Sequence, residues 1–161
     1  MEREPLSGEV IWIGVRPARR APVRVLERVE ALANRGLDGD RATVRPSRVR
    51  QITLIARETL DDAARRLGLA AIDPSQVRRN LVTRGVDLEA ARHRHLLVGG
   101  VLLRVTGPCD PCARMEEALG EGGWEALRDR GGLTAVVLTG GLIRLGDAVR
   151  IMDPVPVEAA P

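Results

Sequence analysis

No apolar run in this chain is long. The runs Gly8–Val15, Leu133–Leu138 and Ala148–Met152 span five to eight residues, and turn residues such as Gly99-Gly100, Gly140-Gly141 and Gly146-Asp147 break the pattern between them. Runs of this length bounded by glycine turns read as strands, and Gly99-Gly100 between His95–Val98 and Val101–Val105 reads as a hairpin. Further short strands are expected at Val23–Leu26, Val29–Leu32, Gln51–Ile55, Leu81–Thr83 and Leu142–Leu145, with Asn34–Asp40 as a turn. One segment has helical spacing. Leu60, Ala63, Ala64 and Leu67 fall on one face of Arg57–Leu67, and Gly68 supplies the stop. Asp73-Pro74-Ser75 starts a short turn or helix, and Ala113–Leu119 and Trp124–Leu127 are short helical pieces. Many short strands with few helices predict a mainly β, α+β chain closed as a barrel rather than an alternating α/β sheet.

A chain of 161 residues, 44% apolar and 29% charged, has enough to bury a core. Residues 1–152 are expected to form one domain, and the proline-rich 153–161 a flexible tail. No run is long enough to span a bilayer, and the N-terminus carries no apolar signal core, so the expected setting is the cytoplasm. All 25 basic residues are arginine, and Lys, Phe and Tyr are absent. Part of that excess reflects a GC-rich coding sequence. With two Trp as the only aromatics there is no base-stacking platform, so nucleic acid is not the expected partner.

The only cysteines are Cys109 and Cys112, in Val105–Glu116, VTGPCDPCARME. Asp110 and Pro111 suit the N-cap and first position of a helix, which would set Cys112 in the first turn. A thiol there has a lowered pKa and is a better nucleophile and metal ligand. Four readings are open: a single nucleophilic or metal-ligating cysteine, a dithiol switch, a zinc half-site, or two packed thiols without chemistry. A proline-bracketed helix start argues against packing. Zinc would need His93 and His95, which would share one face of a strand, but their spacing matches no common structural zinc site; surface polar positions are their more ordinary reading. A thioredoxin-like reading lacks its βαβ frame.

Three polar clusters could take an anionic ligand: Gly39-Asp40-Arg41, Arg78-Arg79-Asn80 and Arg84-Gly85. The arginine fork binds phosphate bidentately, and Asn adds a donor and an acceptor.

From Gly8 to Met152 the chain resembles the MOSC domain, the fold shared with the C-terminal part of molybdenum-cofactor sulfurases. The resemblance is carried by GLDGDR (Gly36–Arg41), RRNLVTRGVDL (Arg78–Leu88), the block Val98–Glu116, GGLTAVVL (Gly131–Leu138) and GLIRLGDAV (Gly141–Val149). It implies a barrel-like β-rich fold in which Cys112 is the characteristic cysteine. In the family that cysteine is proposed to carry sulfur as a persulfide, or to ligate molybdenum in members holding the pterin cofactor. Arg79 and Asn80 then fall where members contact the anionic cofactor, and Arg41 lies in the Gly-Asp-Arg motif. Two features depart from the pattern: Ala42 stands where many members have His, and Cys109 is not general. Cys109 could resolve a persulfide or be a lineage variant.

The expected function is therefore sulfur carriage on Cys112 in metal–sulfur or molybdenum-cofactor metabolism, with a pyridoxal phosphate-dependent cysteine desulfurase as partner. The alternative is a molybdenum-pterin oxidoreductase with Cys112 on the metal, served by a separate electron donor and reducing N-hydroxylated compounds.

Overall fold

The computed structural model describes residues 7–111 and 113–153. The reading of residues 153–161 as a tail falls, beyond Asp153, outside the described residues, as does every reading of Cys112.

Eleven strands are present among the described residues: β1 (Ser7–Val15), β2 (Arg24–Leu26), β3 (Arg28–Leu32), β4 (Gly36–Leu37), β5 (Ile52–Ala56), β6 (Leu81–Arg84), β7 (His95–Val98), β8 (Val101–Pro108), β9 (Leu133–Thr139), β10 (Gly141–Arg144) and β11 (Ala148–Met152). The helices are α1 (Arg57–Leu67), α2 (Ala113–Leu119) and α3 (Gly123–Leu127). Seven strands run β11-β7-β8-β9-β5-β6-β1, and β1 returns to β11 through the pairs Ser7–Arg150, Gly8–Val149 and Glu9–Ala148, which closes the barrel. β2 extends the far end of β1, and β10-β3-β4 form a second sheet whose Val29, Ala31, Leu37 and Ile143 join the barrel core.

The two faces of the wall are set by side-chain alternation. Val10, Ile13, Leu54, Leu81 and Leu103 point into the core. Ile55 and Val82 point outward, against Leu60, Ala63 and Ala64 of α1, Met115 and Leu119 of α2, and Ala126 and Leu127 of α3. A bulge between Val10 and Trp12 lets Ile11 and Trp12 both face this outer cluster. β5 and β6 form the one parallel pair in the sheets, joined across α1; buried on both faces, they read as continuous apolar runs instead of an alternation.

The helix at Arg57–Leu67 stands as the periodicity predicts, ended by Gly68 in the left-handed region at φ 70°. The 34–40 segment differs from the expectation. Gly36–Leu37 pair with Ala31 and Leu32 as β4, made possible by Gly36 at φ 131°, where a Cβ would stand 2.7 Å from the Gln51 carbonyl oxygen. β8 continues three residues past the expected Val105 because the β9 ladder reaches Pro108 opposite Leu133.

Thr83 faces the barrel interior opposite Val10, and its buried hydroxyl has no hydrogen-bond partner among the described residues. An unpaired buried hydroxyl costs about 1–3 kcal/mol. Thr83→Val keeps the shape and removes the cost, so its urea midpoint should rise, with about 1 kcal/mol gained; a fall in midpoint would refute this account.

Candidate functional site

The parallel pairing of β5 and β6 brings their N-terminal ends together beside the C-terminal end of β1. A basin of about 380 Å³ opens there. Its lining includes Arg16, Arg41, Arg50, Arg78 and Arg79, with Asp40 as the one carboxylate. Five arginines stand against one carboxylate in the lining, so its charge is net positive.

Asn80 and Asp40 build the floor. The Asn80 Oδ1 accepts from the Thr53 N–H (3.0 Å) and hydroxyl (3.2 Å), and its Nδ2 donates to the Gly14 carbonyl (3.1 Å) and Asp40 Oδ1 (3.4 Å). One side chain thus ties β1, β5 and β6 to the loop that carries the Gly-Asp-Arg motif. Asp40 accepts from the Arg16 N–H at 2.9 Å and the Ala42 N–H at 3.3 Å, capping the 3-10 turn Arg41–Thr43. Arg41 itself is exposed on the basin wall, and its N–H donates to the Arg16 carbonyl at 2.7 Å.

Arg79 is 4% exposed. Its Nε donates to the Gly131 carbonyl (2.8 Å), Nη1 to Val77 (3.0 Å) and Nη2 to Cys109 (3.1 Å) and Asp110 (3.3 Å). The indole Nε1 of Trp124 donates to the Pro111 carbonyl at 3.1 Å. Three consecutive carbonyls of the cysteine loop, residues 109–111, are therefore held by side chains from other elements. The Cys109 N–H completes the clamp on the Gly132 carbonyl at 2.8 Å. Gly131 makes the approach possible, since a Cβ there would lie 2.1 Å from the Cys109 carbonyl oxygen.

Trp124 is held in turn. Its backbone N–H and that of Gly122 donate to the Glu116 carboxylate at 2.8 and 3.0 Å, which holds that carboxyl below the usual range, and Arg128 lies over its ring at 5.9 Å. Helix α2, which follows the cysteine loop, also reaches the basin electrostatically. The proton affinity of Arg16 is lowered by burial first and then by the charge of Arg114 on α2, against the pull of Asp40.

Of the residues singled out from sequence, Arg41, Arg78, Arg79 and Asn80 meet at the basin. Arg78 takes a left-handed backbone (φ 59°), a conformation that costs a non-glycine residue about 1–2 kcal/mol and that here separates the half-buried Arg78 from the buried Arg79. Arg84 does not join them. It stands at the other end of β6, exposed and ion-paired with Glu9 on β1.

Cys109 is 1% exposed, so the packing that its proline-flanked position argued against describes its placement: it follows the end of β8 directly and its N–H is held on the Gly132 carbonyl. Helix α2 begins at Ala113, so Asp110 and Pro111 stand ahead of it, their carbonyls spent on Arg79 and Trp124. Sequence reasoning did not single out Arg16, Arg50, Gln51, Thr53 or Trp124 as site residues. For Arg16 the only local signal is a basic loop with two prolines.

The two histidines do not share a strand face. β7 starts at His95, and His93 turns out of it at φ 64°. Among the described residues no group of three His, Cys, Asp or Glu side chains is gathered to hold a metal ion. His95 is buried rather than at the surface, and its pKa is pushed down by burial and then by Arg104.

This is a β-barrel protein with an arginine basin that shares a buried side chain with a cysteine loop. The sequence profile described as MOSC domain matches residues 41–150, and the chain belongs to that family. Among solved structures, the YuaD protein from Bacillus subtilis superposes with a TM-score of 0.77 at 16% identity, over 92% of this chain and 97% of that one. YiiM from Escherichia coli (TM-score 0.68, 16% identity, 91% and 71% covered) and YiiM from Geobacillus stearothermophilus (0.68, 13%, 91% and 75%) share the fold. No curated protein sequence matches.

Two measurements test this geometry. Arg79→Lys keeps the charge but lacks the fork that spans four carbonyls, so it should lose about 2–4 kcal/mol of stability in urea unfolding; a loss below 0.5 would place the clamp elsewhere. The depressed pKa of His95 means that the unfolded chain takes up the proton first. Its contribution is then complete above the ordinary value of about 6.5 and declines as pH falls through it toward the folded value. His95→Gln should flatten the fall in Tm between pH 7.5 and 5.5.

Proposed function

We propose that the chain is a sulfur carrier of metal–sulfur or molybdenum-cofactor metabolism, with Cys112 as the carrying residue and the arginine basin as the seat of a phosphate-bearing partner molecule. One observation carries this reading. Arg79 lines the basin and also holds the Cys109 and Asp110 carbonyls, so anion site and cysteine loop are one rigid unit. The transfer is balanced without an external oxidant. The Cys112 thiolate attacks the terminal sulfur of a desulfurase persulfide, the new S–S bond forms as the donor's breaks, and the donor leaves as thiolate. Arg79, Trp124 and the Gly132 carbonyl keep the preceding peptide units in place during the exchange.

A second reading has the same residues hold a molybdenum-pterin cofactor, with Cys112 as metal ligand and N-hydroxylated compounds as substrates. The donor set favours it: Arg41 and Arg50 make no side-chain hydrogen bond among the described residues and suit a phosphate, while a thiolate suits the soft metal. Arg79, bonded to backbone carbonyls, and Asn80, bonded to Thr53, Gly14 and Asp40, support the site rather than grip the ligand. The cofactor would supply the redox chemistry; the protein would supply charge, orientation and the thiolate.

Molybdenum content and intact mass separate the readings, measured on protein from a host that makes the cofactor, alongside Cys112→Ser. Incubation with a cysteine desulfurase and cysteine should add one sulfur to the wild type and none to the variant. Equal labelling of both defeats the carrier reading. Near-stoichiometric molybdenum that disappears in the variant selects the second reading, to be followed by reduction of an N-hydroxylated substrate with a supplied electron donor.

A further inference from the structure

Charge is unevenly distributed along this chain. Residues 16–50 contain ten arginines and four acidic residues, whereas the net charge of the whole chain is only +3, so the remainder is net negative. That basic stretch includes the two loops at the mouth of the basin, residues 16–24 and 41–50, which contribute Arg16, Arg41 and Arg50 to the lining. Arg19, Arg20, Arg45 and Arg48 stand outside the lining and are exposed.

The second loop is also apolar at its surface. Val44 is 75% exposed and Val49 59%. Neither is left there by slack in the chain. Arg35 Nη1 donates to the Thr43 carbonyl (3.0 Å), Gln51 Nε2 to the Ser47 carbonyl (2.8 Å), and the Thr106 hydroxyl to the Val49 carbonyl. The Ser47 hydroxyl accepts from the Val49 and Arg50 N–H groups at 3.0 and 3.1 Å. Four side chains from three parts of the fold thus hold a loop shape that keeps two valines in water, with Arg45, Arg48 and Arg50 as their neighbours in the chain. A preordered apolar centre with a charged rim is the anatomy of a protein interface, and preordering lowers the entropy cost of docking.

We propose that these two loops form a docking surface for an acidic protein partner, with Val44 and Val49 as its apolar contact. Charge complementarity sets the sign of the partner. The surface lacks what other polyanions use. Neither loop has an aromatic residue to stack bases, and neither has the Trp, Phe or Leu that seats a protein in a lipid interface. A partner docked here covers the basin mouth next to the loop held by Arg79. That the docked protein is the one exchanging sulfur or electrons at Cys112 rests on the proposed function; the docking surface itself does not.

The test is binding of a synthetic 15-residue peptide of glutamates with interspersed leucines, compared with poly-glutamate of equal charge, duplex DNA, and phosphatidylserine vesicles. The leucine-bearing peptide should bind about tenfold tighter than poly-glutamate, with affinity falling as salt rises. Val44→Ser/Val49→Ser should erase that tenfold difference, and Arg45→Glu/Arg48→Glu should abolish binding of both peptides, each variant keeping the wild-type Tm. Cys112→Ser should bind the peptide as the wild type does, which separates this result from the fate of the carrier reading. Equal binding of the two peptides, an unaffected valine variant, or tighter binding to DNA or vesicles overturns the proposal.

Discussion

A buried guanidinium is the hinge of this structure. Arg79 sits at the entry to β6 and donates to the backbone of residues 77, 109, 110 and 131, segments that are far apart in the chain. A cation this deep is tolerable only because its fork finds carbonyl oxygens in several directions at once. Removing it would leave several buried acceptors unpaired, so the cysteine loop depends on it for its shape. The glycine at 131 is part of the same arrangement, since any side chain there would displace the Cys109 carbonyl.

The barrel topology explains why an arginine-lined basin forms where it does. In an antiparallel pair the two chain entries lie at opposite ends. β5 and β6 run parallel, so Gln51–Thr53 and Arg78–Asn80 start from the same rim, and antiparallel β1 brings Gly14 and Arg16 to it. Asn80 then joins three strands and the Asp40 loop through four side-chain hydrogen bonds. The floor that Asn80 and Asp40 build is thereby tied directly to the strand ends. The helices pack on the outer face of the same strands, against Ile55, Val82 and their neighbours.

Within the site, chemically identical side chains divide the work by burial. Arg79 is structural support for the loop. Arg16 is split between roles, its side chain on the carbonyls of Ala21 and Ser75 and its backbone on Asp40. Arg41 and Arg50 face the basin with their forks available to an anion. The arginines farther out on the same loops, Arg19, Arg20, Arg45 and Arg48, are exposed and leave their charge in solvent.

Much of this was legible along the chain. Runs of alternating or continuous apolar residues between glycine turns mark nearly every strand, and Leu60, Ala63 and Ala64 before Gly68 mark α1, because these are local patterns of period and stop signal. The turn-flanking residues Arg41, Arg78, Arg79 and Asn80 could be named for the same reason. The two-residue β4 could not, since its pairing with β3 depends on a glycine at positive φ under Gln51. Nor could the sorting of arginines. Arg84 lies five residues from Arg79 and looks alike in sequence, yet it pairs with Glu9 at the far end of the strand. His95 is buried in ladders with β8 and β11, and Cys109 at the end of β8 against Gly132, partners that are not adjacent in the chain. Local sequence determined which elements form and which residues carry charge; only the tertiary structure decided which charges are spent on backbone and which remain for a ligand, because that depends on carbonyls that closure of the barrel brings within 3 Å or so of a guanidinium.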